Sequence, residues 1–326
     1  MGAPLLGIRD VCVEFATPRG PVAAVRDVSL EVRRGECLAI VGESGSGKSQ
    51  LFLGSFGLLA ATGRARGSVR FDGQELLEPD ATALRDVLGT RVAMVFQDPM
   101  NALTPHLTIG QQLSEVVLER GQLDASEARA RCLEVLRSVR MPDPEVRLRQ
   151  YPHELSGGQR QRAAIAMALM TRPDLVVADE PTTALDVTVQ AQVLDVLREA
   201  RDLGLALVLI THDLGVVAGI ADRVAVMYAG RIVECAPVRE LFASPSHPYT
   251  AALLASVPRL DAALTGRLAG IEGQPPQPGE EPQGCSFAPR CPSAVAQCRE
   301  LRPALQAAAE HSVACHAPRS RPGALP

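Results

Sequence analysis

Hydrophobic and polar positions alternate along the first third of the chain. Val11, Val13 and Phe15 fall two apart, as do Val28, Leu30 and Val32. A period of two turns one face to a core and predicts half-buried antiparallel strands. Residues 37–41 are a short apolar run that opens into a glycine-rich stretch, and residues 49–59 read as the helix after it. Val69 to Phe71 followed by Asp72-Gly73 predicts a hairpin. In the middle of the chain the period lengthens. Ala128, Cys132, Val135, Leu136 and Val139 recur at helical spacing behind a start signal at Asp124, with Glu127 three residues on. Cys132 is therefore a core residue and not a ligand. From Pro173 onward, residues 175–178 and 206–210 read as buried parallel strands with a helix over 187–203 between them. Such alternation predicts α/β architecture. Residues 224–228 and 231–234, joined at Ala229-Gly230, predict a closing hairpin.

Composition narrows the picture. The hydrophobic fraction of 46% over 326 residues is ample for a packed core. A formal net charge of -4 provides no large basic field, so nucleic acid is not an expected partner. The first residues show no basic region followed by an apolar run, and no apolar stretch approaches the roughly 18 residues that span a bilayer. The expectation is a cytosolic protein whose membrane contact goes through partner subunits. The composition shifts near Pro245, residues 273–284 are rich in Pro, Gly and Gln, and residues 320–326 are expected to be disordered. No internal repeat is visible.

Three segments carry chemistry. Gly42-Glu43-Ser44-Gly45-Ser46-Gly47-Lys48-Ser49 fits the phosphate-loop pattern in full, between a predicted strand and a predicted helix. Its backbone N–H groups and the helix N-terminus favour anions; Lys48 would neutralise the β- and γ-phosphates and Ser49 would hold Mg²⁺. Leu175-Val176-Val177-Ala178 delivers Asp179 and Glu180 to the end of a strand, where ligands sit in α/β sheets. Asp179 would bind Mg²⁺, and Glu180 would orient and deprotonate the attacking water. Leu155-Ser156-Gly157-Gly158-Gln159 precedes a helix expected over 160–170, and its paired glycines offer a second anion site.

Together these motifs resemble an ABC-type ATPase cassette: a P-loop α/β fold with an antiparallel β-subdomain and a helical subdomain (about residues 98–165). The cassette would occupy residues 1–244 and a C-terminal cysteine-rich extension residues 245–326. By that resemblance Gln97 is the glutamine that touches Mg²⁺ and the attacking water, and Ala184-Leu185-Asp186 is the D-loop. His212 contacts the γ-phosphate, and Phe15 is the aromatic that stacks on adenine, although a plain strand-core role suits Phe15 equally. Ser156, Gly157, Gly158 and Gln159 would close over a nucleotide held by a second subunit. Residues 42–50, Phe96-Gln97-Asp98-Pro99-Met100, Tyr151-Pro152-His153-Glu154, Pro181-Thr182-Thr183-Ala184-Leu185-Asp186-Val187-Thr188, His212-Asp213-Leu214-Gly215-Val216-Val217-Ala218, His247-Pro248-Tyr249 and Val257-Pro258-Arg259-Leu260-Asp261 resemble the oligopeptide and dipeptide permease branch. That resemblance implies a peripheral ATPase on the cytoplasmic face of the membrane. It would pair with a second, related ATPase, two transmembrane permeases and an extracellular peptide-binding protein. Residues 100–110 lie where the coupling helices of permeases dock in that family. Importers of nickel, glutathione or sugars remain open. So does a soluble ABC ATPase acting on nucleic acid or ribosomes, but only about a hundred residues separate Lys48 from Ser156, too few for a long coiled coil, and one cassette is present.

The chain has eight cysteines, and Cys285, Cys291, Cys298 and Cys315 crowd the tail with gaps of five, six and sixteen residues. In a cytosolic chain these are poor candidates for disulfides. Four thiolates suit an iron–sulfur cluster or a tetrahedral zinc, with His316 able to replace one ligand, or they remain unmetallated. Resemblance to dipeptide-permease ATPases implies a 4Fe–4S cluster.

Overall fold

Alternation at Val11 and Val28 is realised in two long strands. The computed structural model describes residues 3–77, 81–98, 102–119, 123–183, 185–257, 270–277, 279–308 and 310–319. Pro99, Met100, Ala184 and residues 258–261 of the quoted motifs lie outside the described residues, as do residues 320–326. In chain order the strands are β1 (Leu6–Thr17), β2 (Gly20–Val32), β3 (Cys37–Val41), β4 (Gly63–Phe71), β5 (Gln74–Glu75), β6 (Val92–Val95), β7 (Leu175–Asp179), β8 (Ala206–Ile210), β9 (Arg223–Tyr228), β10 (Arg231–Pro237), β11 (Gln306–Ala308) and β12 (His311–Val313). The helices used below are α1 (Lys48–Ser55), α2 (Ala81–Val87), α3 (Ile109–Leu118), α4 (Ala125–Ser138), α5 (Pro144–Arg147), α6 (Gly157–Leu169), α7 (Val187–Asp202) and α8 (Leu214–Ile220).

Two compact units divide the chain. The first joins Met1–Glu31, Leu38–Leu77 and Thr211–Pro326. It holds an antiparallel sheet in the order β2-β1-β4-β5 and a set of strands in the order β11-β12-β10-β9-β3. Val11 and Val13 are fully buried on one face of β1, and the register shifts between Arg9 and Cys12. The hairpin at Ala229-Gly230 forms as expected, with both residues at positive φ, which suits a two-residue turn between twisted strands. Helix α1 is shorter than the apolar pattern predicts. It stops at Ser55 because Gly57 takes a left-handed conformation: Leu58 N–H donates to Leu53 O at 2.8 Å and Gly57 N–H to Gly54 O at 3.3 Å. This is the glycine-terminated helix end, and it closes the last turn.

Near its C-terminus the chain returns to this unit's sheet. Strand β12 pairs antiparallel with β10, placing Glu234 opposite Val313. Glu234 is fully buried and accepts from Ser246 N at 2.7 Å and His247 N at 2.9 Å, and His311 Nε2 lies 2.7 Å from its carboxylate. His247 Nδ1 accepts from Tyr249 N at 3.0 Å, so a neutral ring carries its proton on Nε2. Burial pushes the His247 pKa down to about 4, against the opposing pull of Glu234. Below its ordinary value of about 6.5 the unfolded chain takes up a proton that the folded site refuses, so stability falls as pH drops from 6.5 toward 4. The expected loss is about 3 kcal/mol at roughly 1.36 kcal/mol per unit. His247→Asn, which keeps an acceptor for Tyr249 N, should flatten that part of the urea-midpoint curve. An unchanged pH slope counts against a neutral buried His247.

The second unit joins Val32–Cys37 and Glu78–Ile210. Its strands run in the order β8-β7-β6, with β6 parallel to β7 and β7 parallel to β8. Every residue of β7 and β8 is buried, as continuous apolar runs require for strands covered on both faces. Helix α4 begins at a reciprocal cap: Asp124 accepts from Glu127 N at 2.9 Å while Glu127 Oε2 accepts from Asp124 N at 2.9 Å. Its buried stripe is Ala128, Cys132, Val135 and Leu136, the residues the periodicity picks out. Burial pushes the Cys132 thiol up to about 11, in keeping with an inert core residue.

Candidate functional site

Strand β3 runs straight into the loop 42–47, and α1 opens at Lys48. Gly42 and Gly47 are required by packing as well as by backbone conformation. A Cβ at Gly42 would stand 2.2 Å from Met227 O, and one at Gly47 2.3 Å from Ala24 O, and both glycines have positive φ. Ser46 N–H donates to Glu43 O at 3.2 Å, and Ser46 O accepts from Gly230 N at 3.0 Å. Lys48 Nζ donates to Gly42 O at 2.9 Å and Glu43 O at 3.0 Å, so the ammonium lies across the loop. Ser46 Oγ is buried with no hydrogen-bond partner among the described residues, as a hydroxyl reserved for a polar ligand would be. Ser44 and Gly45 are exposed and Ser49 is half-buried. Phe15 is half-buried on β1 with its ring edge over Gly63, where a Cβ would approach to 2.8 Å, so it is neither a full core residue like Val13 nor an open platform. His212 is exposed in this unit, immediately before Asp213, which caps α8 by accepting from Gly215 N at 2.8 Å.

In the second unit Asp179 is buried at the end of β7 and Glu180 follows it in a left-handed conformation, φ 45°. A glutamate rarely adopts this geometry, and such strain concentrates at functional positions. Glu180 N–H is fixed on Ile210 O at 2.8 Å. Its carboxylate accepts from Gln97 Nε2 at 3.2 Å and from Thr183 Oγ1 at 2.8 Å. Gln97 and Glu180, 83 positions apart in sequence, are thus brought together. Thr183 is a participant that its place in a loop did not single out by itself. Asp186 accepts from Val189 N at 2.9 Å and so caps α7.

The segment 155–159 departs from its expected form. Helix α6 starts at Gly157 and not at Arg160, so both glycines lie in the first turn. Ser156 Oγ accepts from Gln159 N at 3.4 Å while Gln159 Oε1 accepts from Ser156 N at 3.0 Å. The residues that point to an anion site are also a reciprocal helix cap. The two glycines differ. A Cβ at Gly158 would stand 2.6 Å from Val189 Cγ1, whereas one at Gly157 meets nothing within 4 Å. Packing within this chain explains the first glycine and leaves the second unexplained.

In the tail, Cys285 and Cys291 flank a turn, Cys298 is buried in the short helix Gln297–Glu300, and Cys315 follows β12. Burial and the proximity of the other three thiols push Cys315 up to about 11. Among the described residues no group of three or more His, Cys, Asp or Glu is gathered so that it could hold a metal ion, which leaves the expected cysteine cluster without support here. His316 Nε2 lies 2.8 Å from Leu301 O, a bond that competes with a ligand role. The described residues also contain no helix long and apolar enough to cross a membrane.

Residues 25–183 match the model of the ABC transporter family, and residues 233–298 match that of the oligopeptide/dipeptide transporter C-terminal region. The oligopeptide transport ATP-binding protein OppD of Salmonella typhimurium is 49% identical over 300 residues, covering 92% of this chain and 89% of that protein. This chain belongs to the OppD-type family of ABC-transporter ATP-binding proteins. The dipeptide transport ATP-binding protein DppD of Bacillus subtilis is 46% identical over 95% of the chain and 94% of its own length. OppD of Mycobacterium tuberculosis is 50% identical over 96% of the chain, but the chain spans about half, 52%, of that longer relative. The fold agrees with a dimeric bacterial ABC transporter cassette at a TM-score of 0.65 and 29% identity, covering 72% of this chain and 99% of that one. An ABC cassette fold with its mixed sheets and helices accounts for the architecture described above.

Proposed function

We propose that the chain binds MgATP, hydrolyses it and thereby powers import of oligopeptides or dipeptides. The observation that carries this reading is Glu180: a strained carboxylate at the end of β7, clipped through its N–H to Ile210 and held by Gln97 and Thr183. A carboxylate held in this way suits the orienting of water and the acceptance of its proton. The loop 42–49 would hold the phosphates, with Lys48 as counter-charge. Ser49, Asp179 and Gln97 offer the hard oxygen donors that suit Mg²⁺. When bound, Mg²⁺ supplies neutralisation of the phosphate charge. Phe15 would face the adenine and His212 the γ-phosphate, as in the family they resemble. Relatives named for oligopeptide and dipeptide transport favour peptides over nickel or glutathione and over nucleic acid.

The open side of Gly157 supports a second reading of the same site, that it is completed by another subunit. Ser156, Gly157, Gly158 and Gln159 would cover a nucleotide held by a related ATPase, with Asp186 close to that junction. Two permeases and an extracellular peptide-binding protein would complete the importer, and this chain would sit peripherally on the cytoplasmic face. In this assignment residues 1–244 form the ATPase part and residues 245–326 the peptide-transporter extension. Reconstitution in vesicles tests the reading: peptide should accumulate only with ATP, and accumulation of nickel or glutathione without peptide overturns it.

The four tail thiols lie near enough to influence one another's charge, although among the described residues they are not gathered as a group that could hold a metal ion. Four thiolates in one segment suit cluster ligation, and from the resemblance to dipeptide-permease ATPases we infer a 4Fe–4S cluster on Cys285, Cys291, Cys298 and Cys315 with a structural role. Protein purified without oxygen should be brown with absorbance in the visible. Colourless protein holding one zinc per chain contradicts the assignment.

A further inference from the structure

Arg290 lies between the first two tail cysteines, yet its side chain reaches the phosphate loop. Its Nη1 stands 2.8 Å from Glu43 Oε2 and its Nη2 3.0 Å from Glu43 Oε1, the two-pronged geometry of a guanidinium on a carboxylate. The same side chain is anchored on three other groups: Tyr228 Oη at 3.2 Å, Ile271 O at 3.2 Å and Glu272 O at 3.0 Å. It is only 4% exposed, and the rings of Tyr228 and Phe287 flank it with their centroids 5.9 Å away. Tyr249 makes a second attachment, accepting from Glu43 N at 2.9 Å. Tyr228, Tyr249 and Phe287 pack as one aromatic cluster, with centroids 4.6 to 5.3 Å apart. The carbonyls of Gly42 and Glu43 are the ones on which Lys48 Nζ rests. The C-terminal segment therefore grips the arm of the loop that carries the phosphate-binding lysine.

The grip has an electrostatic purpose. The phosphate-loop pattern leaves the position of Glu43 open to any residue. A carboxylate there, unpaired, repels a polyphosphate. Fork-bonded to a buried guanidinium it is neutralised and held in one place. We propose that Arg290, with Tyr249, is a positioning residue for nucleotide binding: it neutralises Glu43 and fixes the loop, so that the C-terminal extension sets the affinity for ATP. This rests on the assignment of residues 42–49 as the phosphate site.

The test is equilibrium binding of ribose-labelled fluorescent MgATP to the full chain. Arg290→Ala should weaken binding about tenfold, within the roughly 5- to 150-fold span of site-to-site couplings. Arg290→Lys should fall between, since an ammonium keeps the charge and loses the fork. The double variant Arg290→Ala with Glu43→Gln should regain most of the lost affinity, which a merely structural role for Arg290 does not predict. If Arg290→Ala fails to fold, Arg290→Lys with and without Glu43→Gln makes the same comparison. Unchanged affinity in the Arg290 variants, or a loss that Glu43→Gln does not relieve, overturns the proposal. Lys48→Ala serves as the separate control: if it binds nucleotide normally, the phosphate-site assignment itself is wrong.

Discussion

Glu180→Gln should lower ATP turnover by at least a hundredfold while nucleotide still binds. Glutamine has the shape of glutamate, and its carbonyl oxygen still accepts from Gln97 Nε2 or Thr183 Oγ1, which hold the native carboxylate at 3.2 and 2.8 Å. The left-handed backbone at this position constrains both residues alike. The variant therefore folds and keeps the loop 42–49 intact. It loses the carboxylate proposed to take a proton from water, and removing a general base costs roughly 10²- to 10⁴-fold. Phosphate release and nucleotide binding, measured on the same preparation, separate the two effects. Normal turnover in the assembled transporter removes Glu180 from the role of base.

Gly157→Asp has an effect of similar size for a different reason. Its side chain enters open space, since nothing stands within 4 Å of the added Cβ. An acid in the first turn of a helix is favourable by about 0.3–1 kcal/mol through the helix dipole, and glycine in a helix is itself unfavourable by roughly 1 kcal/mol. The isolated chain should be as stable as the wild type or slightly more so. Hydrolysis of the nucleotide held by the other subunit should drop at least a hundredfold, because in the proposed assembly a carboxylate then faces its phosphates. Gly158→Ala is the informative contrast, as its methyl would meet Val189 at 2.6 Å and cost stability in the chain alone. A stable Gly157→Asp complex that hydrolyses ATP normally shows that residues 156–159 do not touch nucleotide.

Much of the site is legible in the sequence because its parts are local. The loop 42–49 is eight consecutive residues with a strand before and a helix after, and the Asp124–Glu127 cap announces α4 three residues apart. The overrun of α1 past Ser55 comes from weighing apolar residues over the single glycine at position 57, whose left-handed backbone ends the helix. Strands β11 and β12 stay hidden because three-residue segments containing Gln306, His311 and Ser312 carry no period, and they become strands only by pairing, β12 with β10 and β11 with β12. The bond between Arg290 and Glu43 is hidden for another reason. It joins positions 247 apart in a chain with 33 basic and 37 acidic residues, and nothing local tells one partner from another.

The central claim is that the catalytic unit is an interface between two ATPases and not this chain alone. ATP turnover by the purified chain, measured as the related ATPase subunit is titrated in, tests it most directly. Turnover should be negligible for the dilute chain, rise with added partner to a plateau at one-to-one stoichiometry, and plateau lower when the partner meets a Gly157→Asp chain, which loses hydrolysis of the partner's nucleotide. Full turnover by the monomeric chain, indifferent to its partner, contradicts the claim.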